Sequence, residues 1–93
     1  MNLDLSGKTA IVCGSTQGIG KATALQLAKM GANIVLVARN EVKLTSVKEE
    51  LDICKGQKHN YIKTDFNFPA ELKLRVEEFI KENGPAHILV NNT

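Results

Sequence analysis

Lys8-Thr9-Ala10-Ile11-Val12-Cys13-Gly14-Ser15-Thr16-Gln17-Gly18-Ile19-Gly20 decides how this chain folds, because a short apolar run rich in β-branched residues leads straight into three glycines. The segment that follows, Lys21-Ala22-Thr23-Ala24-Leu25-Gln26-Leu27-Ala28-Lys29-Met30, is made largely of helix formers. A strand, a glycine turn and a helix in that order bring backbone close to a ligand and aim the helix's first amides at it. In this geometry Gly14 gives the tight exit from the strand, Gly18 leaves room for a phosphate, and Gly20 lets the helix lie close to the sheet. The spacing is Gly-x-x-x-Gly-x-Gly, which departs from the commoner Gly-x-Gly-x-x-Gly fingerprint. A plain strand-to-helix turn with no ligand is the alternative; the flanking strand and helix favour a dinucleotide pyrophosphate.

Outward from that turn, strand and helix patterns alternate. Thr9 to Cys13 is the first strand, and the first helix follows Gly18 and stops at Gly31, a residue suited to a left-handed C-terminal position. Asn33 to Ala38 is the second strand. Leu44, Val47, Leu51 and Cys54 recur at three- and four-residue steps, which predicts a helix from about Glu41 to Ile53 closed by Gly56. His59 to Lys63 is the third strand. Pro69 opens a third helix that Gly84 and Pro85 stop, with Leu72, Val76, Phe79 and Ile80 as its buried face, and His87 to Val90 is the fourth strand.

This β-α-β-α-β-α-β string predicts an α/β chain, the N-terminal half of a Rossmann-type doubly wound parallel sheet. Right-handed crossovers give the strand order 3-2-1-4. The ligand crevice then lies at the carboxyl ends of strands one and four, where the glycine turn meets Asn91-Asn92.

Composition narrows the function classes. Ninety-three residues with 43% hydrophobic and 24% charged residues are ordinary for a soluble globular domain. The net charge is only +2 and the basic residues are scattered, so nothing points to nucleic acid. Cys13 and Cys54, with only His59 and His87 to supplement them, make neither a disulfide framework nor a metal site; both thiols are expected reduced and packed. The N-terminus lacks the apolar core of a signal peptide, and the longest apolar run, Ile34 to Ala38, is too short to span a bilayer. A cytoplasmic protein with no membrane partner is the expectation.

The end of the second strand chooses the cofactor. An acidic side chain there would accept from the adenosine ribose of NAD, whereas a cation would pair with the 2′-phosphate of NADP. This chain carries Ala38-Arg39-Asn40, and Arg39 offers a planar fork of donors matched to phosphate. NADP(H) is therefore expected in preference to NAD(H), against the reading of Arg39 as a solvated charge. Asp65 either accepts from the adenine amino group or caps the following turn. Ser15 and Thr16 can donate to ribose or phosphate, or simply furnish an exposed turn. Asn91 and Asn92 can tie strand ends together or touch the cofactor ribose.

Taken together, these residues resemble the short-chain dehydrogenase/reductase family. Cys13 through Gly20 is similar to the family's Thr-Gly-x-x-x-Gly-Ile-Gly motif, Thr64-Asp65-Phe66 to its adenine-side Asp segment, and Asn91-Asn92-Thr93 to its Asn-Asn-Ala-Gly motif. The resemblance covers essentially the whole chain. It implies that Ser15, Thr16, Gly18 and Ile19 line the cofactor, with Ile19 toward the nicotinamide, that Arg39 reads the 2′-phosphate, and that Asp65 and Asn91 border the adenosine. Gly14, Gln17, Gly20, Phe66 and Asn92, as members of the same motifs, and Asn40 beside Arg39 complete the expected cofactor set. Three departures stand out: Cys13 for threonine, Gln17 where many NADP-preferring members carry a second basic residue, and Thr93 for alanine.

The family's chemistry belongs to a Ser and a Tyr-x-x-x-Lys pair, in which the tyrosine acts as general acid or base and the lysine lowers its pKa. The only tyrosine here, Tyr61, is followed four residues later by Asp65 and falls within the third strand, so it is expected to be a packing residue. The chain therefore reads as the N-terminal cofactor-binding part of a longer protein, inactive by itself. A free edge at Ile88, Leu89 and Val90 is expected to make the 93 residues associate when produced alone.

As a whole the parent protein is expected to be an NADP(H)-dependent oxidoreductase, homo-oligomeric, acting on a carbonyl or alcohol; a 3-oxoacyl thioester reductase is the default on family frequency. The alternative is a truncated, non-catalytic module that binds nucleotide or a partner. A third reading, a Rossmann-like domain for FAD or S-adenosylmethionine, fits the three motifs poorly.

Overall fold

A computed structural model describes residues 4–91. Four strands, β1 (Thr9–Cys13), β2 (Asn33–Ala38), β3 (Asn60–Lys63) and β4 (Ile88–Asn91), alternate with three helices, α1 (Gly18–Lys29), α2 (Glu41–Glu50) and α3 (Pro69–Asn83). The sheet order is β3-β2-β1-β4 and every pairing is parallel, as the crossover argument requires. Cys13 stands opposite Val37 on one side and Asn91 on the other, so the ends of β2, β1 and β4 come out level.

Because successive side chains on a strand point to opposite faces, each strand feeds two cores. Ala10, Val12, Ile34, Leu36 and Ala38 face α1 and α2, where they meet Ala24, Ala28, Leu44, Val47 and Leu51. Ile11, Cys13, Val35, Val37 and Ile62 face the other way, toward Leu72, Val76, Phe79 and Ile80 of α3. Full burial of side chains such as Ile11, Ile34, Leu36 and Leu44 stabilises the fold by about 1.5–3 kcal/mol each relative to exposure. On α1 the buried residues are Gly20, Ala24 and Ala28, one per turn, and this stripe of small residues sets the helix low on the sheet. That position carries the N-terminus of α1 to the end of β1.

The helix ends follow local rules where the sequence supplies them. Gly31, at φ +101°, closes α1: its N–H donates to Ala28 O (3.0 Å) and that of Ala32 to Leu27 O (3.1 Å), a Schellman pair. Asn40 caps α2, its Oδ1 accepting from Lys43 N–H at 3.1 Å.

Several expectations need correction. The second helix stops at Glu50, three residues short of Ile53. Asp52 ends it: its Oδ1 accepts from Cys54 N–H (2.8 Å), a local turn that competes with helix. The same bond holds the Asp52 carboxyl below its usual range. Cys54 consequently leaves the apolar stripe and is exposed, so only Cys13 is packed. His59 precedes β3 instead of opening it; it is buried, and its Nδ1 accepts from Ile34 N–H (3.0 Å) while Nε2 meets Asp52 O (2.8 Å). The ring thus plugs the gap between the end of α2 and β2. β4 begins at Ile88, with His87 just outside it. The apolar face of α3 rests on the sheet as expected, yet none of its residues is fully buried. Among the described residues β4 pairs only with β1, and Leu89 on it is 67% exposed.

Candidate cofactor-binding site

At the carboxyl ends of β1, β2 and β3 the chain leaves an open cleft of about 530 Å³, lined by Gly14, Thr16, Gln17, Ala38, Arg39, Asn40, Lys43, Asp65, Phe66 and Asn67. Its floor is the glycine turn. Gly14 adopts φ +69° as the chain leaves β1, and its N–H is tied to Val37 O at 2.9 Å, which fixes the turn to the adjacent strand. Gly18 then adopts φ +60°, and a Cβ built there would meet nothing within 4 Å. The residue before α1, Gln17, is extended and its side chain caps no amide; the first turn carries no acidic residue. Helix starts usually recruit an Asp, Ser or Asn to satisfy their first N–H groups, so this one keeps its amides and its positive dipole end available to an anion.

One wall is the β2–α2 junction with Arg39, Asn40 and Lys43; the opposite wall is the turn after β3 with Asp65, Phe66 and Asn67. Arg39 and Lys43 make no ion pair among the described residues, whereas Lys21, Lys55, Lys73 and Arg75 all do. With Asp65 as the one carboxylate on the lining, the cleft is net cationic. Asp65 caps the turn after β3, its Oδ1 accepting from Asn67 N–H at 2.9 Å, while remaining on the cleft wall, so its two sequence readings coexist.

The fold therefore gathers Gly14, Thr16, Gln17, Arg39, Asn40, Asp65 and Phe66 in one cleft. Others of the expected set stand apart from its lining, Gly18 among them as the first residue of α1. Ser15 is fully buried behind the turn, and its hydroxyl has no hydrogen-bond partner among the described residues. Gly20 is buried against the sheet, and Ile19 is 74% exposed at the start of α1. Asn91 ends β4 in register with Cys13. Asn92 and Thr93 lie outside the described residues. Asn40 spends its side-chain oxygen on the α2 cap. Lys43 and Asn67 were not anticipated as lining residues. For Lys43 a signal was present, a cation in a helix's first turn, where acids are favoured.

The remaining titratable groups offer no rival centre. Burial pushes the Cys13 thiol up and leaves it protonated beneath the turn. Tyr61 lies away from the cleft, packed against the core with its hydroxyl 3.4 Å from Glu41 Oε2 and Lys48 Nζ 5.9 Å from the ring centre, which is the packing role expected of it. Among the described residues there is no His, Cys, Asp or Glu cluster suited to a metal, and no helix is long and apolar enough to cross a membrane.

Residues 8–93, from the strand that precedes the glycine turn to the last residue, match the family model described as short chain dehydrogenase. The chain belongs to the short-chain dehydrogenase family. It is 40% identical over 87 residues to glucose 1-dehydrogenase of Gluconobacter oxydans, covering 94% of this chain and 33% of that one. It is 41% identical over 86 residues to the inactive hydroxysteroid dehydrogenase-like protein 1 of Homo sapiens, covering 92% and 26%. Among solved structures, L-sorbose reductase from Gluconobacter frateurii, complexed with NADPH and L-sorbose, superposes with a TM-score of 0.87 at 39% identity, over 100% of this chain and 35% of the reductase. This short-chain dehydrogenase sequence thus spans about a third or less of the relatives it matches.

Proposed function

We propose that this chain forms the cofactor-binding part of an NADP(H)-dependent oxidoreductase acting on a carbonyl or alcohol substrate. The observation that carries the reading is the union, in one cleft, of an uncapped helix start behind a glycine turn with an unpaired Arg39 at the end of β2. An anion suits the first feature and a second phosphate suits the other. The NADPH seen in the related L-sorbose reductase supports the same choice.

In this reading Gly14 and Gly18 hold the backbone close to the pyrophosphate, and Thr16 donates its hydroxyl beside it. Ser15, with its unpartnered buried hydroxyl, and Gly20 shape the turn from beneath. Arg39 takes the 2′-phosphate, Asp65, Phe66 and Asn91 border the adenosine, and Ile19 lies toward the nicotinamide. When bound, the cofactor supplies or takes the hydride of the reaction; this chain's residues bind and orient it, and no proton-transfer group is assigned to them. The finer assignment to a 3-oxoacyl thioester reductase rests on family frequency alone, and no residue of this chain carries it.

A second reading, a nucleotide-binding module without turnover, is favoured by the 41% identity to a relative named as inactive. Fluorescence titration with NADPH and NADH, followed by turnover assays on small ketones and alcohols, separates the two: binding without turnover supports the module. The cofactor assignment itself is tested by Arg39→Asp. NADPH affinity should fall about a hundredfold, the loss of one bidentate charge-assisted contact worth about 3 kcal/mol, while NADH binding holds or improves. An unchanged ratio of the two dissociation constants overturns it.

A further inference from the structure

Lys43 stands where helix physics disfavours a cation. Asn40 is the N-cap of α2 and its side chain accepts from Lys43 N–H, so Lys43 occupies the third helical position, the place at which a capping box carries Glu or Gln. A positive charge there faces the positive end of the helix dipole, and no carboxylate pairs with it among the described residues. Glu41 answers the dipole in the same first turn, but it forms no ion pair with the Lys43 ammonium, and a charge left unpaired at a disfavoured position marks a functional one. The compensation that fits is an external anion: Lys43 lines the same cleft wall as Arg39, and that wall ends at the N-terminus of α2.

We propose that Lys43 is a specificity-determining residue, the second cationic reader of a phosphate on the adenosine 2′-oxygen, acting beside Arg39 and in place of the basic residue that Gln17 does not provide. The proposal rests on the NADP(H) reading above and assigns a residue within it. The two cations divide the work by their chemistry. Arg39 presents a rigid planar fork, and Lys43 a mobile point charge whose backbone is anchored by the Asn40 cap. A dianionic phosphate at the mouth of α2 meets both, together with the helix dipole, whereas a bare ribose hydroxyl gains little from any of them.

The test measures dissociation constants of NADPH and NADH, and of adenosine 2′,5′-bisphosphate and adenosine 5′-monophosphate, by calorimetry on the protein at its full cellular length, for the wild type and for Lys43→Ala, Lys43→Arg and Lys43→Glu. Lys43→Ala should weaken NADPH and the bisphosphate about tenfold, as expected for one charged contact, and leave NADH and the monophosphate unchanged. Lys43→Arg should retain wild-type selectivity. Lys43→Glu should weaken NADPH further and yet raise the melting temperature of the ligand-free protein, because the acid completes a capping box and suits the dipole. Should Lys43→Ala leave the NADPH-to-NADH ratio intact while Arg39→Asp collapses it, the Lys43 assignment falls and the NADP(H) reading stands. A wild type with no preference for the 2′-phosphorylated ligands removes both.

Discussion

Replacing Gly18 by alanine separates what the glycine turn does for the fold from what it does for a ligand. Gly18 sits at φ +60°, where an L-residue costs about 1–2 kcal/mol. The added methyl meets nothing within 4 Å, so no packing clash adds to that cost. Gly56 provides the control, at φ +72° and with equally open space around its would-be Cβ, but in the connection between α2 and β3 instead of at the start of α1. In urea titrations Gly18→Ala and Gly56→Ala should therefore lose similar stability, about 1–2 kcal/mol each. Their ligand affinities should diverge. In the proposed binding mode a pyrophosphate approaches the first amides of α1 through the empty space over Gly18, and blocking two charge-assisted hydrogen bonds at about 1.5–3 kcal/mol each would weaken NADPH by a hundredfold or more, on the order of 3–6 kcal/mol. Gly56→Ala should leave NADPH binding untouched. An unaltered NADPH dissociation constant in a folded Gly18→Ala protein would refute the assignment of that space to the cofactor.

Two further outcomes concern the scaffold. His59→Ala should cost about 2–4 kcal/mol in urea unfolding, since the buried Ile34 N–H and the part-buried Asp52 C=O both lose their partner, and a loss under 1 kcal/mol would contradict the plug role. The acceptance at Nδ1 also assigns the ring proton to Nε2, which nitrogen chemical shifts can check. Asp4 is lowered from 3.8 to about 2, chiefly by the Ser6 hydroxyl and amide and then by Lys55. A depressed carboxylate stabilises the fold above its unfolded value and loses that contribution as pH falls through the folded one. An acid-sensitive step between about pH 4 and pH 2 is thus expected in the melting temperature, and it should shrink in Asp4→Asn.

The parts of this molecule legible in sequence are those governed by short-range rules. β-Branched runs, the glycines at positive φ, Pro69 at the start of α3 and the parallel crossover rule gave the strands, most helix bounds and the sheet order. The glycine turn and the place of Arg39 at the end of β2 were readable because a strand–glycine–helix unit imposes residue types at fixed positions. What escaped depends on side chains competing with backbone patterns. The spacing of Leu51 and Cys54 continued a helical period, but Asp52 bonded its own chain and stopped the helix. His59 looked like a strand residue, and only the meeting of α2 with β2 makes it a bridge between backbones. Lys43 is four positions beyond Arg39 in sequence; the helical turn set by Asn40 brings it onto the same wall. Ser15 had two readings, donor to a ligand or exposed turn residue, and its burial, which follows from the tightness of the turn that Gly14 starts, removes the second.

The unequal burial on the two sides of the sheet has a dynamic consequence. Leu44, Val47 and Leu51 lock α2 to the sheet, while α3 contributes no fully buried residue. Local opening on the α3 side is therefore the cheaper fluctuation. The turn of Asp65 and Asn67 leads directly into α3, so one wall of the cleft is borne by the more mobile layer and the other by the more rigid one. A ligand that bridges the walls restricts this motion, and part of its affinity is spent on conformational entropy. Substitutions on the inner face of α3 would thus tune cofactor affinity from a distance, without touching a lining residue.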